Sequence, residues 1–488
     1  MNMLRFAFAK RYGVLLASTD NKIAKIVYHQ PPTFTVFAEL RRQIQMPLEL
    51  TQVSEHDFNQ LLVKTYETDS ATAMLMAEDM GDALNLSDLL QELPKAEDLL
   101  EKQDDAPIIR LLNALLSEAI KEGVSDVHIE TFEDRVVIRF RVDGILREIV
   151  EPPRILAPLI VSRIKVMARL DIAEKRLPQD GRITLRIGGR AVDVRVSTMP
   201  TNHGERAVLR LLDKQSARLD LAELGMEPNS LNLLTQLINR PHGIILVTGP
   251  TGSGKTTTLY AGLTVLNNER RNILTVEDPI EYDLAGIGQT QVNNKINMTF
   301  AKGLRAILRQ DPDIVMIGEI RDLETAQIAI QASLTGHLVL STLHTNSAIG
   351  AITRLDDMGV EPFLLASSLT GVIAQRLMRL LCSACKKPQP ASPTESALLG
   401  VPAESQTIIY HAVGCDQCRF SGYSGRSGVY EVIAIDETLR TMIHDGAAEQ
   451  LMRKYARGLF PSLRQDGFRQ VLKGTTSLEE ILRVTSED

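Results

Sequence analysis

The chain has 488 residues, 44% hydrophobic and 24% charged, an ordinary globular composition with length for three or four domains of about 150 residues each, which excludes wholesale disorder. The longest apolar stretches, Gly243 to Gly249 and His337 to Leu343, fall short of the roughly 18–20 residues that span a bilayer, so an integral membrane protein is excluded too. The formal charge is −7, unevenly spread, and only four cysteines are present, too few for a disulfide scaffold and available as thiols to a metal.

From the N-terminus, Lys10 and Arg11 interrupt the apolar residues, so no continuous secretory h-region forms and the expected compartment is the cytosol. Residues 1 to about 77 read as a small α/β module, with Ser54 and Asp57 as a capping box ahead of Phe58, Leu61 and Leu62. Residues 78–105 hold ten carboxylates against Lys95 and Lys102, an acidic linker. Asp105 and Pro107 then mark the N-cap and first turn of a helix carrying Ile108, Leu111, Leu112, Leu115 and Ala119, which Gly123 ends. Period-2 runs follow at Val136–Val142, Ile183–Ile187 and Val192–Val196, predicting a second domain with an antiparallel sheet to about 225. Residues 135–218 carry fifteen arginines and three lysines against nine carboxylates.

From 243 onward, GIILVTG, NILTVED, DIVMIGEI and HLVLSTLH alternate with helical segments, which predicts a mostly parallel sheet with ligands at the strand carboxyl ends. The tail from about 435 reads as short helices, the last capped by Thr476 with Glu479 three residues on. The partition is thus 1–77, 78–105, 106–225, 226–375 for the core, 376–428 for the cysteines and 429–488 for the tail.

Chemistry concentrates at those strand ends. Gly249, Pro250, Thr251, Gly252, Ser253, Gly254, Lys255 and Thr256 fit GxxxxGK[ST] between a strand and a helix, with Thr257 beside them. Successive N–H groups wrap phosphates there, Lys255 neutralises the β/γ oxygens and the Thr256 hydroxyl binds Mg²⁺. The strand Ile314–Ile317 leads through Gly318 to Glu319, a carboxylate to orient water or the metal's water shell. Glu277, one strand away, supplies a second carboxylate for the γ-phosphate, and His344 at a further strand end senses that group. The alternatives are capping or surface pairing for the carboxylates and a structural role for the histidine. Cys382-x-x-Cys385 and Cys415-x-x-Cys418 read as two knuckles of a Cys₄ zinc site, against a redox pair or an iron–sulfur cluster. The arginine-rich stretch suits phosphate contacts or nucleic acid, but the net acidity, the absence of Trp and 4% aromatic content count against the latter.

Together SDVHIE (125–130), RFRVDG (139–144), RLPQDGRI (176–183), the phosphate loop, TVEDPIEY (275–282), LRAILRQDPDIVMIGEIRD (304–322), TGHLVLSTLHTN (335–346) and the tetracysteine resemble the secretion ATPases of the type II/type IV pilus superfamily. The short N-terminal module and acidic linker look closest to its type II secretion branch. The resemblance implies a P-loop, RecA-like ATPase core preceded by a PAS-like arginine-rich domain, a zinc subdomain and C-terminal helices. It makes Lys255, Glu319, Glu277 and His344 catalytic, with Arg195 and Arg210 donated to the phosphates and further arginines at Arg305, Arg309, Arg321, Arg354 and Arg426. It implies ATP, Mg²⁺ and Zn²⁺, a homo-hexamer, docking of the N-terminal module on the cytoplasmic part of inner-membrane protein L, contact with platform protein F and peripheral inner-membrane attachment, with no nucleic acid. A pilus-assembly ATPase, a nucleic-acid translocase and a slow nucleotide-dependent switch remain the competing expectations.

Overall fold

Four β-sheets organise the described residues of the chain. The computed structural model describes residues 4, 8–9, 12–20, 23–44, 46–54, 57–58, 61, 106–187, 190–213, 220–402 and 406–486, and the chain divides into units Met1–Ala217 and Arg218–Asp488. The predicted acidic linker and the Asp105 cap lie outside the described residues.

In the first unit, β1 (Val14–Asp20) and β2 (Ile23–Tyr28) pair antiparallel, and helix α1 (Phe34–Ile44) crosses over to β3 (Leu48–Gln52), parallel to β2. Val36, Leu40 and Ile44 bury one stripe of α1 against Val14, Leu16, Ala24 and Ile26, which is what holds so small a sheet together. Ser54 caps the next turn as its sequence suggests, its hydroxyl accepting the Asp57 N–H at 3.1 Å.

Helix α2 (Ala106–Lys121) ends at Gly123, whose φ of +64° suits a residue without a Cβ. Strands β4 (Asp126–Thr131), β5 (Val136–Val142) and β6 (Ile145–Val150), helix α3 (Ala157–Met167), and strands β7 (Gln179–Ile187), β8 (Arg190–Thr201) and β9 (Gly204–Asp213) follow. They form an antiparallel sheet of order β6-β5-β4-β9-β8-β7. Period-2 alternation splits it: Val127, Ile129, Ile138, Phe140, Val192, Val194, Val196 and Leu209 pack with α2 and α3, leaving the charged positions on the other face.

The second unit runs α4 (Pro228–Ile238), β10 (Gly243–Thr248), α5 (Lys255–Leu266), β11 (Ile273–Glu277), β12 (Gly288–Gln291), α6 (Phe300–Ile307), β13 (Ile314–Ile317), α7 (Leu323–Leu334), β14 (Leu338–Leu343), α8 (Ala348–Asp357), α9 (Pro362–Ser368) and β15 (Leu369–Leu381). A small hairpin of β16 (Lys387–Pro390) and β17 (Ile408–His411), with α10 (Pro393–Leu399) between them, precedes β18 (Tyr423–Ala434). Four helices close the chain: α11 (Glu437–His444), α12 (Glu449–Arg457), α13 (Leu463–Leu472) and α14 (Leu478–Val484). The central sheet has order β12-β11-β13-β14-β10-β15-β18, and only β18 is antiparallel to its neighbour. Strands β10, β13 and β14 are buried throughout, as continuous apolar runs covered on both faces require.

Two boundaries differ from the sequence partition. Leu221 and Met226 pack with Leu259, Tyr260 and Ile373 in the second unit, so the stretch before 225 belongs with the core. The division at 375/376 falls inside β15: because β15 and β18 both extend the core sheet, the tetracysteine segment is an insertion between two of its strands.

The last helix starts one residue later than its sequence suggests. Ser477 is the N-cap, accepting the Glu480 N–H at 3.3 Å, while the Thr476 hydroxyl donates to the Arg379 carbonyl at 2.8 Å. The shift seats Glu480 inside, where its fully buried carboxylate takes Arg379 at 2.7 Å and Arg483 at 2.6 Å. Removing Glu480 leaves the mostly buried Arg379 guanidinium without its carboxylate, whereas Arg483 is half exposed and stays solvated, so Glu480→Ala is expected to destabilise the second unit by about 3 kcal/mol in denaturant unfolding; a change under about 1 kcal/mol would show that the Arg379 pair is solvated as well.

Candidate functional site at the strand carboxyl ends

Parallel register gathers the site. Thr248 on β10 faces Leu343 on β14, Ser341 faces Ile317 on β13, and Ile317 faces Val276 on β11, so the residues after each strand emerge along one edge. The Thr248 hydroxyl fixes two of those exits, accepting the Thr345 N–H at 2.9 Å and lying 3.2 Å from the Leu343 carbonyl.

The loop after β10 turns through Gly249, Gly252 and Gly254, at φ of +151°, +80° and +86°, into the first turn of α5. Those angles are open to glycine and let consecutive N–H groups converge at the helix N-terminus, an anion cradle. Lys255 is buried beneath it, its ammonium donating to the Gly249 carbonyl at 2.7 Å and the Pro250 carbonyl at 3.2 Å.

His344 stands between Lys255 and Glu319. The ammonium has no acceptor, so at 3.5 Å it donates to Nδ1, and the Nε2 proton then faces the Glu319 carboxylate at 3.4 Å. The other Glu319 oxygen takes Arg321 at 2.5 Å. Burial and the Lys255 charge hold the His344 imidazole below its ordinary value, consistent with that neutral tautomer. Burial pushes the Glu319 carboxyl up, but the bond and charge of Arg321, with His344 and Lys255, outweigh it and keep the group low. Lys255 is lowered to about 8, chiefly by burial and against the pull of Glu319.

Glu277 is turned elsewhere. Its buried carboxylate accepts from the Tyr260 hydroxyl, from Thr275 at 2.6 Å and from Gln289 at 3.0 Å. Tyr260 carries this cluster on α5, five residues after Lys255, so Glu277 braces the helix that starts at the phosphate loop.

The two arginines singled out in the first unit are direct cross-strand neighbours. Arg195 faces Arg182 on one side and Arg210 on the other, and Arg210 faces Asp126, which faces Arg141. Arg210 donates to Asp126 at 2.9 Å, a partner on the adjacent strand rather than along its own. Arg139 and Arg206 likewise hold Glu130 at 2.6 and 2.8 Å. The local excess of arginine is therefore partly balanced by the buried acids of β4, upstream of the arginine-rich stretch. Of the other arginines, Arg305 pairs with Glu324 at 2.7 Å and Arg309 donates to the Arg305 carbonyl at 2.8 Å.

The four cysteine sulfurs lie within 4.8 Å of one another. Cys382 and Cys415 are 3.9 Å apart, while Cys385 and Cys418, like Cys415 and Cys418, are 3.7 Å apart. Zinc–sulfur bonds of about 2.3 Å in a tetrahedron set sulfur separations near 3.8 Å, so the donor set fits such an ion. Backbone N–H groups of Gly414, Cys415 and Gly422 point at the sulfurs from 3.2–3.3 Å, the polarity that thiolates favour.

Comparison with known proteins places the whole chain. The family model for "Type II/IV secretion system protein" matches residues 101–483, and that for an N-terminal domain of GSPII protein E matches residues 3–66. The chain belongs to the type II/IV secretion system protein family. Type II secretion system protein E of Pseudomonas aeruginosa is 60% identical over 99% of this chain and 96% of its own length. Type II secretion system ATPase E of Vibrio cholerae is 58% identical over 99% and 97%. Among solved structures, the pilus retraction motor PilT with bound ADP matches at 26% identity and a TM-score of 0.53, over 77% of this chain and 96% of its own. The Legionella pneumophila ATPase DotB, at 20% identity and a TM-score of 0.56 over 78% and 96%, shares the fold. No helix among the described residues is long and apolar enough to cross a membrane.

Sequence reasoning missed the groups on β15. Gln375 and Arg376 are buried beside the phosphate loop; the one signal for them was a polar pair inside an otherwise apolar run. An uncharged Lys255 cannot neutralise phosphate, so with its value lowered to about 8 nucleotide affinity is full only well below pH 8 and falls as the pH rises through it. Fluorescent-nucleotide titration should show about a tenfold loss between pH 7 and pH 9, as the charged fraction falls. Lys255→Arg should flatten that dependence, and a pH-independent wild type would contradict it.

Proposed function

We propose that this chain is the ATPase motor of a type II secretion system, coupling ATP hydrolysis to pseudopilus assembly and export of folded proteins. The observation that carries the proposal is the Lys255–His344–Glu319 arrangement beside a glycine-lined anion cradle, in a chain whose full-length relatives are named as type II secretion proteins. The ADP in the related PilT structure supports a nucleotide as the ligand.

On this reading the loop N–H groups and Lys255 bind the triphosphate, and the Thr256 hydroxyl with Glu319 would hold Mg²⁺ and its water shell. Bound Mg²⁺ supplies positive charge at the β- and γ-oxygens. Lys255 leaves the Gly249 and Pro250 carbonyls for the incoming phosphates, and His344 keeps a proton at Nε2 for the γ-phosphate or the Glu319 carboxylate. Glu319 orients the attacking water. Glu277 acts as a positioning residue through Tyr260. Arg195 and Arg210 serve as cationic groups of the first unit for the triphosphate, Arg210 exchanging its Asp126 partner for a phosphate oxygen. The tetracysteine holds a structural zinc, which stabilises the insertion between β15 and β18 and takes no part in the chemistry. A hexameric ring, docked through residues 1–77 on protein L and facing protein F at the cytoplasmic side of the inner membrane, completes the proposal; the match of residues 3–66 supports the docking role.

Parallel ATPase and unfolding measurements on the full chain test it. Lys255→Ala should abolish turnover, while Glu319→Gln should keep nucleotide binding and slow hydrolysis at least about 100-fold. Arg195→Ala should lose turnover at unchanged melting temperature; wild-type turnover in any of the three would refute its assigned role. Elemental analysis should find one zinc per chain, reduced in Cys415→Ser, and a zinc-free or iron-containing protein would overturn the metal assignment.

A further inference from the structure

Strand β15 carries Gln375 and Arg376 in the middle of an apolar run, and both side chains are buried. Ala374 faces Thr248 across the β10–β15 ladder, so Gln375 comes level with Gly249, the first glycine of the phosphate loop. On the other side it faces Tyr430 of β18.

Both ends of the Gln375 amide are engaged. Its Nε2 donates to the Ser253 carbonyl at 2.8 Å, and its Oε1 accepts from the Thr258 hydroxyl, one turn into α5, also at 2.8 Å. Ser253 offers only an acceptor there, which sets the orientation of the amide. The fit is close: a Cβ on Gly254 would lie 2.8 Å from the Gln375 Nε2, and one on Gly249 would lie 2.5 Å from the Gln375 carbonyl oxygen. That carbonyl takes Arg376 Nη1 at 3.1 Å, and Arg376 Nη2 donates to the Asn346 carbonyl at 3.0 Å, in the segment just after His344.

The Ser253 carbonyl belongs to the same planar peptide as the Gly254 N–H, and in a trans peptide the two point in opposite directions. Holding the carbonyl down onto Gln375 therefore turns the Gly254 N–H up toward the anion cradle. Without a donor below, the peptide is free to rotate between two glycine-permitted conformations, and the cradle loses a fixed N–H.

We propose that Gln375 is a positioning residue for nucleotide binding, whose amide fixes the Ser253–Gly254 peptide and the first turn of α5 in the phosphate-receiving conformation before the ligand arrives. The proposal rests on the nucleotide-binding reading of the loop and adds a group from a strand outside the loop and its helix. Because the cradle serves the ground state and the transition state alike, Gln375 acts on affinity more than on the chemical step.

The test uses the full chain with Gln375→Met, which keeps length and removes both hydrogen bonds, Gln375→Glu, and Thr258→Val, with fluorescent ADP as probe and steady-state ATP hydrolysis alongside. Gln375→Met should weaken ADP binding and raise KM by about tenfold, with kcat within about threefold of wild type. Gln375→Glu should be weaker still, since an acceptor then faces the Ser253 carbonyl. Thr258→Val should add little on top of Gln375→Met, because the two act through one amide. Unchanged ADP affinity in Gln375→Met, with the wild type binding normally, overturns the proposal. So does a fall in melting temperature with unchanged affinity per folded molecule. A wild-type chain that binds neither ADP nor ATP removes the nucleotide reading and this proposal together.

Discussion

The parallel register of β10, β14, β13 and β11 is the constraint on which the rest depends. It puts the residues after four strands along one edge, where Lys255, His344 and Glu319 meet although 89 positions separate the lysine from the histidine. Such a sheet survives only when both faces are covered, which explains why β10, β13 and β14 are buried throughout and mostly apolar, and why helices pack over them. The charged groups of these four strands collect at their ends, and hydroxyls left inside, such as Ser341 and Thr342, are satisfied by main-chain carbonyls of β13 and the residue after it, so the demands of packing and of chemistry select the same places.

The charged groups at that edge are arranged to satisfy one another. Lys255 uses main-chain carbonyls, His344 bridges it to Glu319, and Arg321 occupies the remaining Glu319 oxygen. A buried ammonium with an exchangeable set of neutral acceptors is costly enough to favour a polyanion and is paired well enough to persist without one. The first unit follows the same pattern at its surface, where the β4 acids lie under arginines that reach outward.

Much of this was legible in the sequence because it depends on local pattern. The glycine-spaced loop, the four core strands, the alternating second domain and the paired cysteines each follow from short-range periodicity or spacing, and the structure assembles those strands and cysteines as read. What was not legible depends on pairing between distant strands. Arg210 finds Asp126 from 84 positions away, Glu277 is claimed by Tyr260 and Gln289 rather than by the phosphate edge, and β15 and β18 join the core sheet across the cysteine insertion. The last cap moved by one residue because adjacent Thr476 and Ser477 are both suited to it, and only the buried pairing of Glu480 decides between them.

The central claim is that His344 links phosphate binding to hydrolysis at this edge. Single-turnover hydrolysis of bound ATP by the full chain, wild type against His344→Gln at equal occupancy, tests it most directly. Nucleotide affinity within about twofold and a rate slowed by at least about tenfold is the result this arrangement predicts. Equal rates for bound ATP in the two proteins would contradict it.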